Sequence, residues 1–336
     1  MKVSILDQTQ LIEHENAEAE FNRTVELAQY LDEIGYTRYW LSEHHSTDAL
    51  AGSAPEILAS YLLAKTKKLR VGTGGVMLPH YSSYKVAEMF KVLSALAPGR
   101  IDLGVGRAPG GHHLSNIALQ GEALSKRNLD HFPQQIDEIL HYFKNEVPKE
   151  SKLKGLLTTP NVKQVADFWV LGTSPSSALL AAQKGLPYVF AQFINYQPGG
   201  MERAIALYRK NFKPSEVLSE PKVIVTIKTI LADTDEAANE LAKSALRFNF
   251  YLHRGILTRL VSPSNALIEV KTDREKQEIE ALKETYLIGS KDTVRKNVQY
   301  LKSKLDLDEI MTISPIYHFE DRKYSLKLLK EAIENI

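Results

Sequence analysis

The chain has no cysteine among its 336 residues. Disulfides, thiolate metal sites and cysteine nucleophiles are therefore excluded together. Charge of one sign is missing too: 42 Lys and Arg stand against 41 Asp and Glu, a formal net charge of +1. A nucleic-acid or membrane-surface partner would call for a basic bias that this balance does not supply. Long apolar runs are also absent. The longest stretch without a charge, Gly185 to Met201, contains two prolines and three glycines and does not suit a membrane-spanning helix. Near the N-terminus a short apolar run turns acidic with no leader-like segment, so a cytoplasmic location is expected. Finally, there is no dinucleotide fingerprint. Gly104-Val105-Gly106-Arg107-Ala108-Pro109-Gly110 looks like one, but its third glycine comes one residue late and Pro109 intervenes.

What is present is an alternation. Apolar runs at Val3–Leu6, Tyr39–Leu41, Leu69–Leu78, Ile101–Val105, Phe168–Leu171, Pro187–Gln192, Val223–Leu231 and Ile310–Ile313 read as eight strands. Between the first two, Phe21, Val25, Ala28, Leu31 and Ile34 recur at helical spacing ahead of Gly35, a natural C-terminal cap. Pro55 opens the next helix, and Pro98-Gly99 stops the one after it. Strands alternating with helices favour an all-parallel sheet. Eight such units closing on themselves give an α/β (β/α)8 TIM barrel; an open doubly wound sheet is the alternative. The rhythm loosens after strand four (about 107–166, with one clear helix at 132–144) and after strand seven (about 250–288, charged and irregular). Both are read as insertions in a single domain spanning 1–336, and the Lys/Glu runs at 271–284 as a solvated helix face.

In such barrels active residues sit where strands end. After strand two comes Ser42-Glu43-His44-His45, a carboxylate beside two imidazoles, which offers acid/base groups near neutral pH. Adjacent histidines on an extended segment point to opposite faces, so a shared metal is not expected. A hydrogen-bonded structural histidine is the plainer alternative. Strand three contains Gly72-Thr73-Gly74-Gly75, suited either to a flat ligand lying on the backbone or to a bulge. Arg107 ends strand four, and a guanidinium grips phosphate in a fork; taken alone, a surface salt bridge is its plainer alternative. After strand five, Gly172-Thr173-Ser174-Pro175-Ser176-Ser177 runs into a helix, with Ser176 and Ser177 read as its cap. Free N–H groups and hydroxyls there make an anion site. A phosphate and a flat ring together imply FMN. His80, Tyr81, His112 and His113 could line the mouth of the barrel or be solvated loop residues, the second being the favoured reading, while His14, His131, His141 and His253 are read as surface or helix residues.

These clues meet in a family. Trp40-Leu41-Ser42-Glu43-His44-His45, Val71 to Pro79, Gly99 to Arg107, Ala181 to Pro187 and Gly289 to Val294 resemble the bacterial luciferase-like flavin monooxygenases, in the same order and over nearly the whole chain. The resemblance implies an isoalloxazine ring over Gly74-Gly75, where that family often has a non-proline cis peptide. It implies phosphate binding by Arg107, Gly172, Thr173, Ser174 and Ser177, a catalytic role for His44 with Glu43 or His45 orienting it, and a lid at about 250–288. It also implies a homodimer built on helices next to strands two and three; the apolar stripe of Ile57, Leu58, Tyr61 and Leu62 suits that face and ordinary core packing equally. Several positions depart from luciferase itself. Gly106 stands where luciferase has a reactive cysteine, Gly74-Gly75 replaces two alanines, Thr173 replaces an acid, and Gln192-Phe193 alters the aromatic pocket. Those changes argue against light emission and leave the flavin site intact.

The expected function is a two-component monooxygenase. A separate flavin reductase would deliver reduced FMN, and dioxygen would oxidise a small organic substrate. Hydride transfer with a deazaflavin or with FMN, and non-catalytic flavin binding, are the alternatives; a metal-dependent hydrolase using His44 and His45 ranks below them.

Overall fold

A computed structural model describes residues 1–121, 130–147, 152–194, 197–334 and 336. Parts of the expected 107–166 insertion, and two residues of the Gly185–Met201 stretch, lie outside the described residues.

The strands are β1 (Lys2–Asp7), β2 (Arg38–Leu41), β3 (Arg70–Met77), β4 (Ile101–Gly106), β5 (Asp167–Gly172), β6 (Tyr188–Ala191), β7 (Val223–Leu231), β8 (Tyr286–Gly289) and β9 (Glu309–Ile313). Every ladder is parallel. β1 to β7 pair in sequence, and β9 joins β7 back to β1. Eight strands thus close into the expected barrel, with helices on the outside. Such strands are buried on both faces, which is why they read as continuous apolar runs.

The helices are α1 (Ala17–Glu33), α2 (Pro55–Lys65), α3 (Ser83–Leu96), α4 (His113–Gln120), α5 (Phe132–Phe143), α6 (Pro175–Gln183), α7 (Gly200–Asn211), α8 (Asp235–Leu252), α9 (Asp273–Lys283), α10 (Lys291–Leu305) and α11 (Phe319–Ile333). α1 shows the common logic. Asn16 caps it by accepting the Ala19 N–H, Leu27, Ala28 and Leu31 face the barrel, and Gly35 follows at φ +79°. Each buried leucine there contributes about 1.5–3 kcal/mol.

One expectation is corrected. The segment 250–288 is not irregular throughout: it holds the end of α8, all of α9 and a ninth strand, β8. β6 pairs with Val223–Thr226 of β7, and β8 takes Lys228–Leu231 beyond it. A four-residue strand behind a highly charged helix gives little periodic signal. The sequence reading names neither α7 nor α8. The solvated helix face does appear in α9, where Lys276 pairs with Asp273 and Lys283 with Glu280.

Inside the barrel, Leu6, Trp40, Trp169, Val189, Ile224, Met311 and Ile313 form a closed layer. Arg38 lies at 4.8 Å from the Trp169 ring centroid and is held by Asp102 (2.7 Å) and Glu309 (2.9 Å). This packed plug fills the barrel interior, and the C-terminal strand ends form the rim above it. No helix among the described residues is long and apolar enough to cross a membrane.

Candidate active site

The segment after β2 leaves the barrel extended, so successive side chains diverge. Glu43 turns into the protein. Its carboxylate accepts the Met77 N–H at 3.0 Å and the Tyr81 hydroxyl at 2.7 Å, and meets His45 Nε2 at 2.7 Å. His80 is buried beside this group. Its Nε2 donates to Pro109 O at 2.7 Å, and its Nδ1 meets Gln120 Nε2 at 2.8 Å. His80 and Tyr81 therefore tie the β2, β3 and β4 loops together; they are not the solvated loop residues expected.

His44 faces the other way. Its Nδ1 lies 3.2 Å from Ser42 Oγ, and Nε2 has no partner among the described residues. Enclosure by protein pushes the imidazolium pKa down to about 4, with the neighbouring His45 adding to the effect. The ring is therefore neutral at pH 7. Among the described residues its ring is hydrogen-bonded by Ser42 and not by Glu43 or His45.

In β3 the register against β4 shifts between Gly74 and Val76, and the Gly74–Gly75 peptide is cis. The bulge and the open backbone, alternatives in the sequence, coexist. A Cβ on Gly74 would lie 2.6 Å from Leu6 Cδ1, and one on Gly75 would lie 2.8 Å from Gly104 O. At Gly75 the obstacle is backbone, so a side chain there forces β4 to move; at Gly74 it is the end of the Leu6 side chain, which would have to shift.

Arg107, past β4, is 46% exposed, pairs with Asp130 at 3.1 Å and lies 5.3 Å from the Phe132 ring centroid. After β5 the cap is Ser174, with Pro175 at the first helical position, rather than Ser176 or Ser177. Ser174 and Ser177 form a capping box, and Ser177 Oγ also donates to Ser174 O at 2.8 Å. Their hydroxyls are thus already engaged. The Thr173 hydroxyl is free among the described residues, and Ser176 Oγ is bonded only to Ser174 Oγ, at 2.9 Å. A Cβ on Gly172 would collide with the Ser177 side chain, so glycine lets the strand end approach the helix start.

Two cavities meet at Gly74, the first residue of the glycine pair. One, of about 220 Å³, is lined by Trp40, Gly74, Gly75, Arg107, Gly172, Thr173, Ser174, Ser176 and Ser177. The other, of about 680 Å³, is lined by Ser42, Glu43, His44, His45, Gly74, His112, Phe193, Lys228, Phe248 and Asn249, among others. Gly74, Met77, Ala108, Phe193 and Ile194 belong to both. The structure thus gathers every sequence-predicted site residue around one double cavity. A glycine floor a Cβ would fill, beside a cation and the free Thr173 hydroxyl, fits a flat ring carrying a phosphate. His112, His253 and residues Leu252, Gly255 and Leu257 from the 250–288 segment also line the larger cleft. No group of three or more His, Cys, Asp or Glu suited to a metal occurs among the described residues.

Lys228 and Asn249 went unnoticed in the sequence. The available signal was a lone charge inside the apolar strand Val223–Leu231.

A family model described as luciferase-like monooxygenase matches residues 1–306. The chain belongs to the luciferase-like monooxygenase family. The protein YwcH of Bacillus subtilis (strain 168) is 42% identical, with 99% of each chain covered. The N-acetyl-S-alkylcysteine monooxygenase of the same strain is 37% identical, covering 99% of this chain and 98% of its own. Among solved structures, apo-MsnO8 superimposes with a TM-score of 0.89 at 32% identity, covering 100% of this chain and 98% of that one. Two more distant structures share the fold. One is the oxygenating constituent of 3,6-diketocamphane monooxygenase from the Pseudomonas putida CAM plasmid, in complex with FMN, at TM-score 0.75 and 19% identity, covering 100% and 99% of the two chains. The other is an F420-dependent secondary alcohol dehydrogenase, at TM-score 0.67 and 16% identity, covering 99% of each.

Proposed function

We propose that this protein is the oxygenating component of a two-component flavin monooxygenase, acting in the cytoplasm on a small organic substrate. The observation that carries this reading is that the two cavities meet at Gly74, with Gly75 lining the smaller one. Arg107 and Thr173 would hold the phosphate of a flavin bound there, and His44 would border the same double cavity. Reduced FMN, when bound, supplies the electrons with which dioxygen oxidises the substrate. We assign its supply to a separate flavin reductase, because the chain carries no dinucleotide fingerprint.

The protein's own groups have distinct tasks in this reading. Arg107, Gly172, Thr173 and Ser176 receive the phosphate, with Ser174 and Ser177 building the helix start that presents it. His44, neutral at pH 7, is the catalytic residue that accepts or holds a proton through Nε2. Ser42 positions it. Glu43 and His45 hold the loops around it. Residues 252–257, within the 250–288 insertion, cover the cleft and exclude water. The whole chain acts as one domain with insertions at 107–166 and 250–288.

A homodimer belongs to the same proposal. On α2, Leu62 packs inward while Ile57 is 70% and Tyr61 52% exposed; on α3, Leu96 is 67% exposed. Together with Met89 and Val92 they line an apolar groove of about 920 Å³ between the two helices. A second copy of this face would cover it.

FMN titration tests the core claim, and failure to bind either redox form refutes it. The F420-dependent fold neighbour supports a second reading, hydride transfer with a deazaflavin. Substrate turnover with reduced FMN plus dioxygen, set against turnover with reduced deazaflavin, separates the two.

A further inference from the structure

Lys228 lines the larger cleft, and the flavin reading gives it no task. It is the one charge in β7 and is only 6% exposed. Its Nζ donates to Asn249 Oδ1 at 2.6 Å and lies 4.9 Å from the Tyr286 ring centroid. Asn249 is fixed in that orientation, since its Nδ2 donates to Ala245 O and to the Tyr286 hydroxyl. No ion pair reaches the amine among the described residues, and burial pushes its pKa down to about 7.

The rest of the cleft leaves this amine unbalanced. Glu43 is engaged by Met77, Tyr81 and His45, and Asp48 pairs with Arg259 at 2.8 Å. The remaining titratable groups lining the cleft are His44, His45, His112 and His253. Around them lie Phe193, Ile194, Phe248, Leu252 and Leu257. An ammonium with one of its N–H bonds engaged, in a largely apolar cleft whose carboxylates are taken, is a receptor for an acceptor the protein does not supply.

We propose that Lys228 is the anion-recognising, specificity-determining residue of the cleft, and that the substrate is a small amphipathic carboxylate. Its charged end meets the ammonium, and its apolar body lies among Phe193, Phe248 and Leu252. A single cation matches a monoanion; a phosphate dianion would leave buried charge uncompensated. The placement rests on the reading that the flavin lies over Gly74–Gly75. In the eight-strand ring β3 and β7 stand opposite each other. The carboxylate would therefore be held across the mouth from the ring, leaving the reacting end of the molecule beside it.

Calorimetric titration of the FMN-loaded protein with 4-phenylbutyrate and with the uncharged 4-phenylbutyramide tests this. A site built for a polar partner rejects the analogue lacking it, so the carboxylate should bind at least about tenfold more tightly. Near pH 8 the amine is mostly neutral, so carboxylate binding should take up close to ~1 proton, read from buffers of different ionisation heat, and the uptake should fade toward pH ~6. Lys228→Met and Lys228→Gln should each lose the preference and the uptake while keeping FMN affinity. Equal binding of the two probes, binding of neither, or a preference that survives both substitutions overturns the proposal. Uptake that grows toward pH ~6 belongs to a histidine and overturns it as well. FMN affinity is measured on the same samples. Loss of flavin binding in the wild type sinks the flavin reading alone, because the two probes can still be compared without flavin.

Discussion

Arg107 allows the flavin assignment to be tested with two ligands that differ only in a phosphate. Its guanidinium is 46% exposed and already shared with Asp130 at 3.1 Å. A charge-assisted hydrogen bond of a buried guanidinium to phosphate is worth about 1.5–3 kcal/mol. Half-exposure and competition from Asp130 place this contact at the lower end. With a factor of ten for every ~1.4 kcal/mol, Arg107→Ala should weaken FMN binding by about 10–30-fold. Riboflavin lacks the phosphate, so its affinity should stay within about twofold of the wild type. Asp130→Asn removes both a competitor and a nearby like charge, so it should tighten FMN modestly, by about 2–5-fold, and less as salt screens the interaction. Flavin fluorescence quenching at low and physiological ionic strength gives each of these affinities. If Arg107→Ala weakens both ligands equally, the side chain acts by packing on Phe132, which lies 5.3 Å away. If it weakens neither, the phosphate does not bind here. Either result refutes the reasoning.

The remaining predictions probe neighbouring parts of the site. Gly172→Ala drives a Cβ into Ser177, so the strand end must shift; thermal denaturation should show a loss of about 1–3 kcal/mol, and FMN affinity should fall with it. His44→Gln should keep FMN but lose product formation, and a variant retaining full turnover removes His44 from the chemistry. Because the folded pKa of His44, about 4, lies below that of the unfolded chain, stability is complete above pH ~6.5 and falls as pH drops toward 4, by up to about 3 kcal/mol. Denaturant titrations across that window should show the fall in the wild type and its absence in His44→Gln. Ile57→Glu with Leu96→Glu should turn a dimer into a monomer in sedimentation while leaving FMN binding intact; an unchanged sedimentation coefficient rules out that face.

The barrel was legible because its signals are local. A parallel strand buried on both faces is a short apolar run, and Gly35 after α1 or Pro55 at the start of α2 marks a helix end whatever packs against it. The positions of the site followed from the same signals, since groups that end strands gather at one rim. Their partners did not follow. Glu43, His44 and His45 are consecutive, yet the extended backbone sends Glu43 to Met77 and Tyr81 and leaves His44 with Ser42. Whether a carboxylate helps a neighbouring imidazole or locks a distant turn depends on residues more than thirty positions away. No spacing rule carries that information.

Lys228 was hidden for a related reason, and β8 explains why. β6 ends at Ala191, so the edge of β7 on the β6 side is left unpaired by the barrel beyond Thr226, while β9 continues to Lys228 on the other edge. An open ladder edge on a buried strand has to find donors and acceptors. β8 supplies them from Lys228 to Leu231 and brings Tyr286 directly beside the lysine in register. α8 then lays Asn249 against both. The amine is dry on its outer side because this late strand and helix cover it, and it borders the cleft because the barrel rim opens there. In the sequence the lysine only interrupts an apolar run. Its chemistry is made by two elements, one of them a four-residue strand that β7 needs because it is longer than its barrel neighbour.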